Sequence, residues 1–239
     1  YVDLVVHEMI PAVVSENLAR FCDVFCESHV FTAEEARRIL SSAREHGLVP
    51  KIHAEQLTRS GGARVAAEVE AASADHLDWC EREDLEALAS ARVVPVLLPG
   101  AVFFLGKDRY APGRQMVDLG MPVAVSTDFN PGSSPLLSLP MAASLACLRQ
   151  GLAPAEALVS ITLNAAWALR EEGRVGTLEP GKKADIAVWP VADYREIVYY
   201  LGVVRPRWVI KGGRVVWQSA DHERVRPSPF GAATARDLE

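Results

Sequence analysis

His53, His76 and Asp128 are residue types that bind divalent ions, and each falls where an apolar run gives way to polar residues. His53 closes Leu48–His53 (LVPKIH), His76 lies within Ser73–Leu77 (SADHL), and Asp128 follows the short Val-rich run Pro122–Ser126. Imidazole with carboxylate suits zinc or a similar first-row ion. Each residue alone has an ordinary role: a histidine as a satisfied polar group, Asp128 as the N-cap of the next helix. Together they say more, because the carboxyl ends of parallel strands converge on one mouth in α/β proteins. A catalytic zinc takes three protein ligands and a water. His53 and Asp128 make two; His76 is either a third or stands beside the ion and handles protons. After Asp128, the run Asn130-Pro131-Gly132-Ser133-Ser134 is turn chemistry that offers N–H and hydroxyl donors.

These residues need strands and helices to carry them. Strands are expected to start near 21, 48, 73, 93 and 122, each followed by a helix. Thr32-Ala33-Glu34-Glu35 is a capping box opening a helix through about His46, ended by Gly47. Gly61–Ala72, Glu81–Ala91 and Gly113–Leu119 read as helices, and Gly100–Pro112 as a loop carrying Phe103, Phe104 and Tyr110. Residues 2–14 are apolar with helical spacing, disturbed by Pro11; His7 there has no visible partner. Leu136–Gly151, Pro154–Ile161 and Leu163–Leu169 are three further helical stretches. The alternation predicts a parallel sheet with helices outside it. Its period of 20 to 29 residues compares with ~31 per unit in a (β/α)8 barrel. Five units fit either an open doubly wound sheet or the back half of a barrel. From Arg174 the character changes. Asp185–Trp189, Trp208–Lys211 and Arg214–Trp217 read as strands of a small appended β unit, the last two joined by a Gly212-Gly213 hairpin turn. Val225–Glu239 is rich in Pro, Ala and charge and reads as a frayed tail.

The totals exclude several classes. The 239 residues are 49% hydrophobic and 23% charged with net charge −6, which speaks against nucleic-acid or anionic-membrane binding. No apolar run reaches the ~18–20 residues of a membrane span, and no signal peptide is expected. The cysteines Cys22, Cys26, Cys80 and Cys147 lack zinc-finger spacing and read as buried free thiols of a reducing compartment. The first residue is Tyr1 rather than Met, so a longer polypeptide is expected.

Longer stretches carry a family resemblance. They are CDVFCE (Cys22–Glu27), FTAEEARRIL (Phe31–Leu40), KIHAEQL (Lys51–Leu57), ADHLD (Ala74–Asp78), STDFNPGS (Ser126–Ser133), LNAAWAL (Leu163–Leu169), GTLEPGKKADIAVW (Gly176–Trp189) and VIKGGRVV (Val209–Val216). Together they resemble the C-terminal part of the imidazolonepropionases, a family of metal-dependent amidohydrolases. The resemblance implies part of a (β/α)8 barrel, about strands 4 to 8, over 1–172. A portion of a β-sandwich built from both chain ends follows over 173–220, and a tail over 221–239. It implies hydrolysis of 4-imidazolone-5-propanoate to N-formimidoyl-L-glutamate in histidine degradation, by metal-activated water attacking a cyclic amide. His53 and Asp128 would be metal ligands on the fifth and eighth strands. His76 and Asp128 would be catalytic, moving protons from the water to the departing nitrogen. Gln56, Asn130, Gly132 and Ser133 would bind substrate. One divalent ion, zinc or iron, is implied, with a small-molecule substrate, a homodimeric full-length protein and a cytoplasmic location.

The sequence departs from the family at the front. No His-x-His pair occurs in it, so two of the four metal ligands that the resemblance implies are missing, and the 239-residue chain is expected to be inactive alone. The alternatives are another cyclic amidohydrolase or deaminase of the same superfamily, or a non-catalytic α/β protein. Gln56 stands against a deaminase, in which Glu is expected there as a proton shuttle.

Overall fold

Five short β-rich runs, each followed by a helix, form one parallel sheet in which every strand pairs with its sequence neighbour. The computed structural model describes residues 1–219; the tail expected over 221–239 lies outside the described residues. The strands are β1 (Phe21–Cys26), β2 (Val49–Ala54), β3 (Ser73–His76), β4 (Val94–Leu97) and β5 (Ala124–Val125), in the order β1-β2-β3-β4-β5. A doubly wound sheet reverses its strand order at a switch point. No reversal occurs here, so the sheet is a segment of barrel, with β1 and β5 as its edges.

Alternation sorts the side chains onto two faces. Val24, Cys26, Ile52, Ala54, Ala74, Leu97 and Val125 join one buried core. That core is shared with helices α3 (Ala33–Glu45), α4 (Gly62–Glu68), α5 (Arg82–Ser90), α7 (Gly113–Asp118), α8 (Leu139–Gln150) and α9 (Pro154–Ser160). The opposite face carries Asp23, Phe25, Lys51, His53, Ser73 and Asp75 on β1–β3, and apolar Val94, Val96 and Ala124 on β4–β5. Helix α10 (Leu163–Ala168) packs Ala165 and Ala168 on that apolar portion, and Asn164 donates from Nδ2 to the Val123 carbonyl at 2.8 Å. Both faces of β4 are therefore covered, which is why its four residues are buried and its sequence is apolar throughout.

Several elements differ from expectation for local reasons. The N-terminal helix is unbroken: α1 (Val2–Leu4) passes through one π-helical turn, Val5–Met9, into α2 (Ile10–Ser15). The wider turn just before Pro11 makes room for its ring. Helix α4 ends at Glu68 rather than Ala72, because Glu70 takes a left-handed φ of 50° and Ala72 N–H already joins the sheet at the Pro50 carbonyl. The stretch expected as a loop over Gly100–Pro112 begins as helix α6 (Pro99–Phe104), with Pro99 in its first turn. Strand β5 keeps two residues of the five expected, Pro122 having no N–H to donate. The capping box is present: Thr32 Oγ1 accepts Glu35 N–H at 3.3 Å, and Glu35 accepts Thr32 N–H at 2.9 Å.

A second sheet, antiparallel, joins β6 (Ile186–Val188), β7 (Trp208–Lys211) and β8 (Arg214–Gln218) in that order, with α11 (Glu196–Tyr199) in the connection before β7. Gly212 and Gly213 turn the hairpin with φ of 55° and 78°, a conformation that favours glycine at both positions. The four cysteines are free thiols; Cys26 and Cys80 are buried as expected, but Cys22 and Cys147 only half-buried. Among the described residues no helix is long and apolar enough to cross a membrane.

Helix α4 approaches the sheet closely at Gly62, where a Cβ would sit 2.7 Å from Ala54 Cβ and 3.2 Å from Cys26 Sγ. Gly62→Ala is expected to lose about 1–3 kcal/mol through overpacking, read as a lower urea midpoint at unchanged slope. An unchanged midpoint would mean that α4 has room to move off the sheet.

Candidate metal and catalytic site

The site lies at the carboxyl tips of β2, β3 and β5, where the backbone leaves ordinary strand geometry. Glu55, His76, Leu77 and Asp128 all have left-handed φ, at 56°, 76°, 66° and 51°. None is glycine, and such residues cost of order 1–3 kcal/mol each and persist only where the surroundings enforce them. The surroundings do so by stitching the tips together: Leu77 N–H donates to the Ala54 carbonyl at 3.0 Å and Trp79 N–H to the Glu55 carbonyl at 2.8 Å. His76 pairs in register with Ala54, one residue beyond His53. Its left-handed backbone accompanies a ring turned back to His53, with centroids 4.1 Å apart. Phe25, on the same rung as His53, packs its ring 3.7 Å from the other side.

The two imidazoles are held neutral. Burial lowers His53 to about 4, against the Glu27 charge and the Gln56 side chain, which push the other way. Burial also drives His76 well below the usual histidine range, helped by His53 and Lys107. A neutral imidazole is the form that binds metal. His53 Nε2 and His76 Nδ1 are buried without a hydrogen-bond partner, and an orphaned buried nitrogen is costly unless something else satisfies it. The His53 site therefore fits a divalent ion in the chemistry of its donor, although among the described residues no three His, Cys, Asp or Glu side chains gather as a ligand set.

Asp128 is half-buried at the tip of β5 and does not serve as a helix cap. The cap of α8 is Ser138, whose Oγ accepts Met141 N–H at 3.3 Å. Burial raises the Asp128 carboxyl, with Asn130 opposing. The loop after it closes on itself: Asn130 Oδ1 accepts from Gly132 N–H at 3.0 Å, Ser133 N–H at 2.8 Å and Ser133 Oγ at 3.1 Å. The donors expected to face a ligand are thus turned onto the Asn130 amide. The structure brings His53, His76 and Gln56 together at the β2 and β3 tips. It sets Asp128 across β4 from them in sheet order.

Residue reading alone assigned nothing to several buried groups around these tips. Glu55 accepts N–H groups of Ser60, Gly61 and Ala63 at 2.6, 3.0 and 3.1 Å, anchoring the start of α4. On the inner face, Lys51 Nζ donates to Ser73 Oγ, which donates to Asp75 at 2.9 Å. Burial pushes Asp75 up to about 6, with Lys51 opposing. Asp78 accepts Ala111 N–H at 3.1 Å, and its own carbonyl accepts Arg109 Nε at 2.9 Å while the Arg109 guanidinium lies 4.2 Å over the Trp79 ring. The detectable signal was an acidic residue directly after an apolar strand, as with His53-Ala54-Glu55 and His76-Leu77-Asp78.

Residues 10–217 match the amidohydrolase family. The imidazolonepropionase of Geobacillus thermodenitrificans is 52% identical over 216 residues, covering 90% of this chain and 51% of the relative. That of Solibacter usitatus is 48% identical over 218 residues, covering 91% and 52%. The chain therefore spans about half the length of the relatives it matches. Among solved structures, 5-methylcytosine deaminase from Klebsiella pneumoniae aligns with a TM-score of 0.76 at 16% identity, covering 91% of this chain and 60% of that one. A zinc-bound adenosine deaminase from Xanthomonas campestris aligns with a TM-score of 0.67 at 18% identity, covering 78% and 49%. At those identities the likeness concerns the fold.

The Asp78 carboxyl supplies a pH test. Burial raises it to about 7, against Ala111 N–H, Lys107 and Arg109. The unfolded chain releases that proton near pH ~3.9. Stability from the protonated form is thus fully present below about pH 4 and lost as pH rises toward 7. Wild-type protein should lose stability relative to Asp78→Asn across that window, seen in urea midpoints of both proteins at the two ends. Parallel midpoints would show that Asp78 ionises freely in the fold.

Proposed function

The chain belongs to the amidohydrolase family, and on that premise we propose that it forms part of an enzyme opening the ring of 4-imidazolone-5-propanoate with water to N-formimidoyl-L-glutamate. The observation that carries this reading is about 50% identity to imidazolonepropionases over nine-tenths of the chain. The reaction is that of the complete protein. No His-x-His pair occurs in these 239 residues, and the proposal places the remaining ligands on the half of the relatives that this chain does not match. The same reading makes the complete protein a cytoplasmic homodimer acting on a small molecule.

His53, through its unpartnered Nε2, and Asp128, through its carboxylate, would hold one divalent ion, zinc or iron. When bound, such an ion lowers the pKa of a water and polarises a carbonyl oxygen. Asp128 is the base: its carboxylate takes a proton from the attacking water and returns it to the departing ring nitrogen. His76, kept neutral beside His53, polarises and orients the ring through its N–H, or relays to the departing nitrogen a proton that it has first received from the attacking water. Gln56 contacts the ring but, as an amide, moves no proton, which leaves that work to Asp128 and His76. Asn130, Gly132 and Ser133 hold the propanoate end, the substrate oxygen taking the place of Asn130 Oδ1 in their turn.

His53→Ala and His76→Ala separate these roles in the complete protein. His53→Ala should lose bound metal and activity together. His76→Ala should keep its metal and lose about 10²–10⁴ in kcat, the usual range for a proton-handling group. Metal analysis and loss of imidazolone absorbance read the two effects. Metal loss in His76→Ala would move that residue into the ligand set and sink the assignment.

A further inference from the structure

We propose that Glu27 is a positioning residue that fixes Gln56 against the ring of the substrate; the proposal builds on the reaction proposed above. Glu27 follows the last residue of β1 and is 1% exposed. Among the described residues it forms no ion pair. Its carboxylate is filled by donors of the loop after β2: Oε1 accepts Leu57 N–H at 2.7 Å and Thr58 N–H at 3.5 Å, and Oε2 accepts Thr58 Oγ1 at 2.8 Å. Its neighbour Ser28 adds an N–H at 3.4 Å.

Leu57 directly follows Gln56, and Glu55 directly precedes it. Glu55 is itself locked, with φ of 56° and three N–H groups on its carboxylate. Gln56 is therefore bracketed by two buried carboxylates, Glu55 just beyond β2 and Glu27 just beyond the neighbouring β1, which leaves its backbone little freedom beside His53. Hydrogen bonds to a buried carboxylate are strong, and a carboxylate buried without a cation is costly. Glu27 accepts from two successive residues through two oxygens. A glutamine there presents one acceptor and holds half of the clamp.

The test uses the complete protein. Glu27→Ala should raise KM about tenfold, the cost of a lost buried hydrogen bond to a charged group, with kcat changed less than about threefold and metal content unchanged. In a Gln56→Ala background the same substitution should add nothing. Glu27→Gln should recover part of the loss, because its carbonyl still accepts Leu57 N–H. Additive effects of Glu27→Ala and Gln56→Ala, or a fall in kcat together with metal content, would overturn the proposal and leave Glu27 a scaffold residue. Should Glu27→Ala fail to fold, Thr58→Val removes one donor alone and should give a smaller rise in KM; no rise would count against the clamp. Amide hydrogen exchange reads the clamp without any turnover. Leu57 and Thr58 should exchange faster in Glu27→Ala, which removes their shared acceptor, while Gly61 and Ala63 keep their rates; unchanged exchange at Leu57 and Thr58 would overturn it. If the wild-type protein does not open the ring, the reaction fails while the exchange experiment still decides the clamp.

Discussion

The in-step pairing of β1, β2 and β3 is the constraint on which the site depends. Phe25, His53 and Asp75 share one rung, and because strand side chains alternate, all three face away from the main core and its helices α3 to α5. A slip of one residue in β2 would bury His53 among the alanines of α4 and turn Ile52 to the inner face. The small residues on the helix side make the register costly to break. Ala54 and Cys26 meet Gly62 so closely that no larger side chain fits there.

The strand tips then depart from regular geometry in a way that regular pairing could not supply. His76 belongs to a rung beyond His53, yet its left-handed backbone accompanies a ring brought back to the His53 ring. Three buried carboxylates hold the chain around these departures. Glu27 grips the loop after β2, Glu55 grips the start of α4, and Asp78 grips the segment that leads into α7. Each accepts backbone N–H groups that would otherwise be orphaned in an apolar setting. Burial keeps both imidazoles neutral, so the backbone strain and the desolvation are concentrated at the same strand tips.

The inner face divides in composition. On β1–β3 it is polar, with Lys51, Ser73 and Asp75 linked beneath the histidines. On β4–β5 it is apolar and covered by α10. Asp128 rises from the apolar side and His53 from the polar side, so the two candidate ligands come from two environments. The turn after Asp128 satisfies its own donors through Asn130.

Much of this was legible in order along the chain. The five strand–helix units, the capping box at Thr32, the Gly212-Gly213 hairpin and the placing of His53, His76 and Asp128 at strand ends follow from local signals: apolar runs, turn residues and caps act within a few positions. The motif stretches identified the family, because residues of one site recur at fixed positions. Strand order, which separates a barrel segment from a doubly wound sheet, depends on pairings between residues over twenty positions apart, and only the tertiary structure decided it. The same holds for Glu27, Glu55 and Asp78, since an acidic residue after a strand looks the same whether it meets water or a neighbouring loop. It also holds for His76, whose direction is set by a backbone angle that the surrounding packing enforces. Local chemistry picked out the candidate groups; long-range contacts determined which way they point and what holds them there.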